Sequence, residues 1–257
     1  MNTTLYRSWF PFGVGHPDAF ARMFCLPFAG GGASNFAAWR TRFPGIGIVP
    51  VQYPGHETRI DEAPLERMDD MVEGLAAAIA PLLDRPYVLF GYSMGARLAF
   101  ALARRLGDAD LCLPSALIVA AHVPPDRASD AARAIGLSDA AFKEILRVYG
   151  GMPEELLDDD DFCAMALPVM RADFALAVQP VPLAPLDLPI FAYAGTRDKT
   201  ACADTMAEWC RFTTDTFFLR QFAGEHFFLR TAGDLEHAIR IDLASVLPAS
   251  RPHLVSA

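Results

Sequence analysis

Apolar positions along this chain follow two alternating rhythms. Short runs rich in β-branched and aromatic residues predict strands at 22–27, 46–53, 87–91, 116–121, 190–194 and 216–222. Between them, apolar residues recur every three or four positions and predict helices over 35–41, 68–83, 94–106, 202–212 and 235–246. A short strand near 6–10 would precede the series. Alternation of this kind predicts βαβ units and a mainly parallel sheet flanked by helices. One region, 126–179, breaks the rhythm. It is rich in alanine and leucine at helical spacing, is bounded by Pro124-Pro125 and Pro180-Val181-Pro182, and holds no convincing strand. The expectation is a single α/β domain over 1–257, with 126–179 inserted as a helical lid above the C-terminal edge of the sheet. The acidic run at 158–161 reads as a solvated loop between lid helices.

Composition narrows the class. The chain is 53% hydrophobic and 21% charged, enough apolar material for a sizeable core and too little charge for disorder. Its net charge of −9 argues against a nucleic-acid partner, because phosphate binding needs a basic surface. No basic segment followed by an apolar one opens the chain, and no apolar run is long enough for a bilayer. Cys25, Cys112, Cys163, Cys202 and Cys210 are odd in number and lack CxxC spacing. They read as reduced thiols of a cytosolic protein, with neither a disulfide frame nor a metal site. No cofactor is called for, and no heptad or interface stripe points beyond a monomer.

The most informative stretch is Tyr87-Val88-Leu89-Phe90-Gly91-Tyr92-Ser93-Met94-Gly95-Ala96-Arg97. An apolar run feeds Gly-x-Ser-x-Gly, and a helix follows at once, which is the context this pentapeptide requires. The two glycines answer a steric demand, since side chains flanking so tight a strand-to-helix turn would clash. Ser93 is the candidate nucleophile, and a serine hydroxyl needs a general base oriented by an acid. Such parts follow in the order acid, then histidine. Asp198 ends the apolar run Ile190-Phe191-Ala192-Tyr193-Ala194-Gly195; the competing reading of an Asp after a glycine is a cap or turn. Asp126 is the rival acid. His226, in Phe222-Ala223-Gly224-Glu225-His226-Phe227-Phe228, alone has both the chain order and the loop context for the base. His16 and His253 lie in terminal segments, and His237 sits mid-helix. His122, at a strand end near the sheet's active edge, reads as a structural or pocket residue, and His56 is expected on a loop at that edge, lining the site. An oxyanion hole needs two amides. One is Met94, and the other is Phe28 or Ala29 in the loop Pro27-Phe28-Ala29-Gly30-Gly31-Gly32, between which sequence does not choose. That loop lacks the spacing of a nucleotide phosphate cradle.

Taken together these residues resemble the type II thioesterases associated with polyketide and nonribosomal peptide synthetases, over nearly the whole chain. The likeness is carried by Leu26-Pro27-Phe28-Ala29-Gly30-Gly31-Gly32-Ala33, Tyr53-Pro54-Gly55-His56-Glu57-Thr58-Arg59 and the serine elbow. It continues in Leu167-Pro168-Val169-Met170-Arg171-Ala172-Asp173-Phe174, Gly195-Thr196-Arg197-Asp198 and Gly224-Glu225-His226-Phe227-Phe228. His56 stands where the family often has Arg, and Glu225 where Gly is frequent. The resemblance implies an α/β-hydrolase fold. It also implies an enzyme that clears aberrant acyl groups from the phosphopantetheine arm of an acyl or peptidyl carrier protein. Phe28, Met94, Met165 and Met170 would line an acyl pocket, with Arg171 and Asp173 stabilising the lid. Because both partners would be acidic, docking calls for a local basic patch drawn from Arg59, Lys143, Arg147 or Arg197. The alternatives are a small-molecule esterase or acyl-CoA thioesterase, and an inactive hydrolase fold that only binds.

Overall fold

The computed structural model describes residues 7–248. Six strands form one sheet: β1 (Ala21–Leu26), β2 (Ile46–Pro50), β3 (Tyr87–Tyr92), β4 (Ala116–Ala120), β5 (Ile190–Gly195) and β6 (Phe217–Phe222). Their order is β2-β1-β3-β4-β5-β6, and every pairing is parallel. Each predicted strand is present except the one near 6–10. Residues 7–9 form a helical turn instead, and residue 6 lies outside the described residues. The Trp9 carbonyl accepts from the Gln52 amide at 2.9 Å, so this segment docks on the sheet edge without joining it.

Side chains alternate between the two faces, as the pleat requires. Phe24, Leu26, Leu89, Leu117 and Val119 pack into one core cluster. Met23, Cys25, Val88, Phe90 and Ile118 pack into the other. On the first face lie α1 (Met68–Ile79) and α2 (Met94–Asp108), both with buried apolar stripes. On the second lie a 3-10 segment at Ala33–Thr41 and a C-terminal helix at Leu235–Val246.

Several predicted helices are shorter or tighter than their patterns suggested. The expected helix over 68–83 ends at Ile79 and passes into a 3-10 turn containing Pro81, which has no amide to continue the ladder. The segment over 202–212 divides into a helix at Ala203–Ala207 and a 3-10 turn at Glu208–Phe212.

Between β4 and β5 the insertion is helical. It contains a 3-10 turn at Asp130–Ala134 and then α3 (Asp139–Tyr149), α4 (Glu154–Leu157) and α5 (Asp160–Val178). The acidic run at 158–161 is solvated and also starts α5. The Asp159 carboxylate caps the Phe162 amide at 2.9 Å, and Asp160 and Asp161 occupy the positive end of the helix dipole. Among the described residues no helix is long and apolar enough to cross a membrane.

The strand order reverses direction at β1 and β3. The chain leaves β1 toward β2 on one side and returns to pair β3 on the other. At such a switch point the loops leaving adjacent carboxyl ends diverge and open a crevice. Here the loops are Pro27–Gly32 after β1 and the serine elbow after β3, aligned by the register Leu26 opposite Gly91.

Candidate active site

The elbow geometry follows from its glycines. Ser93 has φ 53° and ψ −121°, a left-handed conformation that costs a non-glycine residue about 1–3 kcal/mol. Gly91 and Gly95 make the turn feasible. A Cβ on Gly91 would lie 2.2 Å from the Gly95 carbonyl oxygen, and one on Gly95 would lie 2.2 Å from that of Leu26. The bend lifts the Ser93 hydroxyl above the sheet at the N-terminus of α2.

His226 and Asp198 complete a chain of hydrogen bonds to this hydroxyl. His226 Nε2 lies 3.1 Å from Ser93 Oγ, and its Nδ1 lies 3.0 Å from Asp198 Oδ2. The other carboxylate oxygen, Oδ1, accepts from the Thr200 amide at 2.8 Å, the Thr200 hydroxyl at 2.7 Å and the Ala201 amide at 3.1 Å. With Oδ1 occupied, Oδ2 is left to face the imidazole. That arrangement places the ring proton on Nδ1 and frees Nε2 to accept from Ser93. Burial pushes the Asp198 carboxyl upward, but the hydrogen bond and charge of His226, with Thr200 and Ala201, outweigh it. The net position is below the usual carboxylate value.

Aromatic packing fixes the histidine loop, as the residues after His226 suggest. Phe227 and Tyr149 meet the imidazole edge-on at 5.1 Å each. Phe228 stacks on Phe222, and the Phe227 ring contacts Phe28 at 5.0 Å. One anchor is not signalled by any motif. Tyr92, beside the serine, donates its hydroxyl to the His226 carbonyl at 2.6 Å and accepts from the Leu229 amide at 3.2 Å. Its ring is wholly buried, and burial raises the phenol above its ordinary range, so it stays a donor.

The rival residues are engaged elsewhere. Asp126 pairs with Arg211 on the surface at 2.7 Å. His16 is exposed beside Asp18, His237 lies on the C-terminal helix, and His253 lies outside the described residues. His122 lines the cavity above Ser93, but burial and the neighbouring Arg97 push its imidazole down to about 3. It stays neutral, with Nδ1–H donating to the Val123 carbonyl at 2.7 Å.

The loop after β1 presents backbone donors to the same crevice. Its Gly31 amide returns to the Phe28 carbonyl at 2.8 Å, and its Gly30 amide donates to Asp173 at 2.7 Å. Among the described residues, the amides of Phe28, Ala29 and Met94 find no acceptor. The Ser93 amide is spent on the Ala120 carbonyl at 2.8 Å.

An open cavity of about 210 Å³ rises above Ser93 and His226, walled by the helical insertion together with the loops that follow β1, β4, β5 and β6. Phe28, Met94 and Met170 line it, as their positions suggested, together with Tyr149, Met152 and Phe174. Met165 does not. It is 61% exposed, because Cys163, Leu167, Met170 and Phe174 form the buried stripe of α5 and Met165 falls on the opposite face. The proposed basic patch is largely consumed by internal pairs. Arg147 engages Glu144, Glu154 and Asp158, Lys143 faces Asp160, and Arg59 is buried against Glu62. Arg197 stays exposed at 4.0 Å from Glu225. Arg230, which sequence did not single out, lies at the cavity over the rings of Phe28 and Phe227.

A family model described as the thioesterase domain matches residues 21–243. Thioesterase PikA5 of Streptomyces venezuelae is 35% identical over 240 residues, covering 91% of this chain and 84% of its own. The solved type II thioesterase BorB, from the borrelidin biosynthetic cluster, aligns with a TM-score of 0.77 at 35% identity, over 94% of this chain and 98% of its own. RedJ, a thioesterase from the prodiginine biosynthetic pathway in Streptomyces coelicolor, aligns with a TM-score of 0.80 at 32% identity, over 94% and 99%.

Proposed function

Because the chain belongs to the thioesterase domain family, we propose that it clears stalled or aberrant acyl groups from the phosphopantetheine arm of an acyl or peptidyl carrier protein. The observation that carries this is the relay from Ser93 through His226 to Asp198, at 3.1 and 3.0 Å, opening beneath an apolar cavity. BorB, from the borrelidin biosynthetic cluster, and RedJ, from the prodiginine biosynthetic pathway, support the carrier-bound substrate class.

The chemistry proceeds in two halves. Ser93 Oγ attacks the thioester carbonyl while His226 Nε2 takes its proton, and Asp198 steadies the imidazolium that forms. Negative charge gathers on the carbonyl oxygen. The Met94 amide and that of Phe28 or Ala29 stabilise it, aided by the α2 dipole. Collapse of this adduct breaks the C–S bond, and His226 returns its proton to the departing thiolate. Water then enters, His226 takes its proton, and the acyl–Ser93 ester is cleaved to a free acid and the original serine. The balance is thioester plus water giving acid plus thiol.

The insertion over 126–179 serves as the lid of a single domain. Its inner wall of Tyr149, Met152, Met170 and Phe174 suits an acyl chain. The exposed cations Arg197, Lys199 and Arg230 sit on the loops that carry Asp198 and His226, and they supply local positive charge for an acidic carrier despite the net charge of −9. The five free cysteines suit a cytosolic protein.

The test is a comparison of one short acyl group presented on a holo carrier protein, on coenzyme A, and as a simple activated ester. Carrier-preferring turnover, abolished by Ser93→Ala, is expected. Equal or better turnover of the simple ester would mark a general esterase, and no turnover of any of the three would mark a protein that only binds.

A further inference from the structure

One carboxylate oxygen ties three segments together beside the cavity. Asp173 Oδ2, on α5 of the insertion, accepts from the Gly30 amide at 2.7 Å and faces His56 Nε2 at 2.8 Å. Asp173 is 1% exposed and His56 is 5% exposed, so water does not stand in for either partner. The other ring nitrogen of His56 lies 2.9 Å from the Pro54 carbonyl. A carbonyl can only accept, so Nδ1 must carry a proton. Nε2 in turn faces a carboxylate oxygen that already receives an amide, so the short contact on that side needs a proton as well. With Asp173 ionised, as a carboxyl is when it competes with an imidazole for one proton, that proton rides on the ring, and two protons on one ring make an imidazolium.

The held segment is the one that presents the Phe28 and Ala29 amides. Around it, the Tyr53 hydroxyl donates to the Pro27 carbonyl at 3.2 Å, and Glu57 accepts from the Ser34 amide at 3.2 Å. These fix the two ends of the loop. Its middle, where Gly30 turns at φ +74°, is fixed by Asp173.

We propose that His56 is a positioning residue: it is protonated in the resting protein, and its ion pair with Asp173 holds the loop at Gly30 in the conformation that hydrolysis requires. This rests on the reading of Phe28 or Ala29 as an oxyanion donor. The titratable groups that face His56 are Asp173 from α5, with Tyr53 and Glu57 from its own segment. The nearby Arg59 is occupied by Glu62 and the Gln52 carbonyl. Burial disfavours the charge on His56, yet the hydrogen bond and charge of Asp173, with Pro54 and Glu57, outweigh it and raise the imidazole above its ordinary value. A group whose value is raised by folding keeps its partner below that value and loses it as pH climbs through it. Once His56 is neutral, its Nε2 lone pair opposes Asp173, and the contact that anchors Gly30 opens.

The experiment is a pH profile of kcat and KM on an acyl-pantetheine thioester, using the full chain and the variants His56→Arg, His56→Gln and Asp173→Asn. Losing one oxyanion donor outright costs about 10²–10³ in kcat, so a displaced loop is expected to cost about tenfold or more. The native protein should lose kcat on the alkaline side through one deprotonation, with KM little changed. His56→Arg, permanently charged, should abolish that alkaline loss, whereas His56→Gln and Asp173→Asn should be slow at every pH. An unchanged alkaline limb in His56→Arg, or native kcat in His56→Gln, would overturn the proposal. If the variants do not fold, ¹⁵N spectra of the native histidines decide it. A doubly protonated ring for His56 at pH 7 is expected, and a neutral one would overturn the proposal. Activity surviving Ser93→Ala would instead remove the reading of a serine enzyme with an oxyanion hole, whatever the pH profile of the His56 variants.

Discussion

Replacing Tyr92 by Phe tests how the serine strand fixes the histidine loop. The change deletes one oxygen and leaves the ring, so packing is conserved. Two backbone groups lose their partner: the buried His226 carbonyl, which receives the hydroxyl at 2.6 Å, and the part-buried Leu229 amide, which donates to it at 3.2 Å. An orphaned buried group costs about 1–3 kcal/mol. With about 2 for the carbonyl and about 1 for the half-buried amide, the loss is about 3 kcal/mol. For a domain of this size that lowers Tm by about 6–12 °C. The effect on catalysis arises because His226 is positioned by its own main chain. A shift of about 1 Å in Nε2 can cost as much as 10²-fold, so kcat should fall by about tenfold or more while KM changes little. Tyr87→Phe is the control. Its hydroxyl donates to the Cys112 carbonyl at 2.5 Å at the opposite end of β3, so it should cost about 1 kcal/mol and leave kcat unchanged. Differential scanning calorimetry and steady-state turnover of both variants check this. A Tyr92→Phe protein that melts within about 1 °C of the native chain and turns over within about twofold would refute the reasoning.

Gly95→Ala should be severe in both stability and activity, because its Cβ would lie 2.2 Å from the Leu26 carbonyl oxygen and 2.6 Å from that of Pro27. The helix must move off β1 and the oxyanion loop; a soluble, active Gly95→Ala protein would contradict the elbow geometry. Asp198→Asn should lower kcat by about 10⁴ by allowing the wrong histidine tautomer, as steady-state assay at fixed pH would show. Because folding lowers the Asp198 carboxyl, its contribution to stability is present above the ordinary carboxylate range and is lost as pH falls through the depressed value. The stability gap between native and Asp198→Asn proteins in urea should therefore narrow in acid; a gap independent of pH would refute it.

What was legible in the sequence is what local sterics dictate. The strands announce themselves by apolar runs, and the elbow by two glycines whose missing side chains make room for the Gly95 carbonyl and for that of Leu26 in β1. Asp198 and His226 were legible because each follows a strand directly, so the parallel sheet delivers both to one edge. Contacts across long separations were not. Tyr92 reads as an arbitrary residue of the pentapeptide until the loop at 226–229 folds over it. Asp173 and His56 stand 117 residues apart, and nothing in either segment specifies the pairing. Met165 shows a different failure. Apolar character marked it for the cavity, but only the phase of α5 shows that the stripe through Leu167 and Met170 turns inward and Met165 outward. At the N-terminus, aromatic residues suggested a strand where Trp9 and Phe10 instead pack into the core from a helical turn and its end.

Catalysis by this chain turns on the covalent role of Ser93. The most direct measurement quenches the enzyme within milliseconds of mixing with an acyl-loaded carrier protein and maps the acyl mass by peptide mass spectrometry. The acyl group is expected on the peptide containing Ser93, to appear before free acid accumulates, and to be absent with Ser93→Ala. Hydrolysis that proceeds with no acylated Ser93, or that survives its replacement by alanine, would contradict the mechanism.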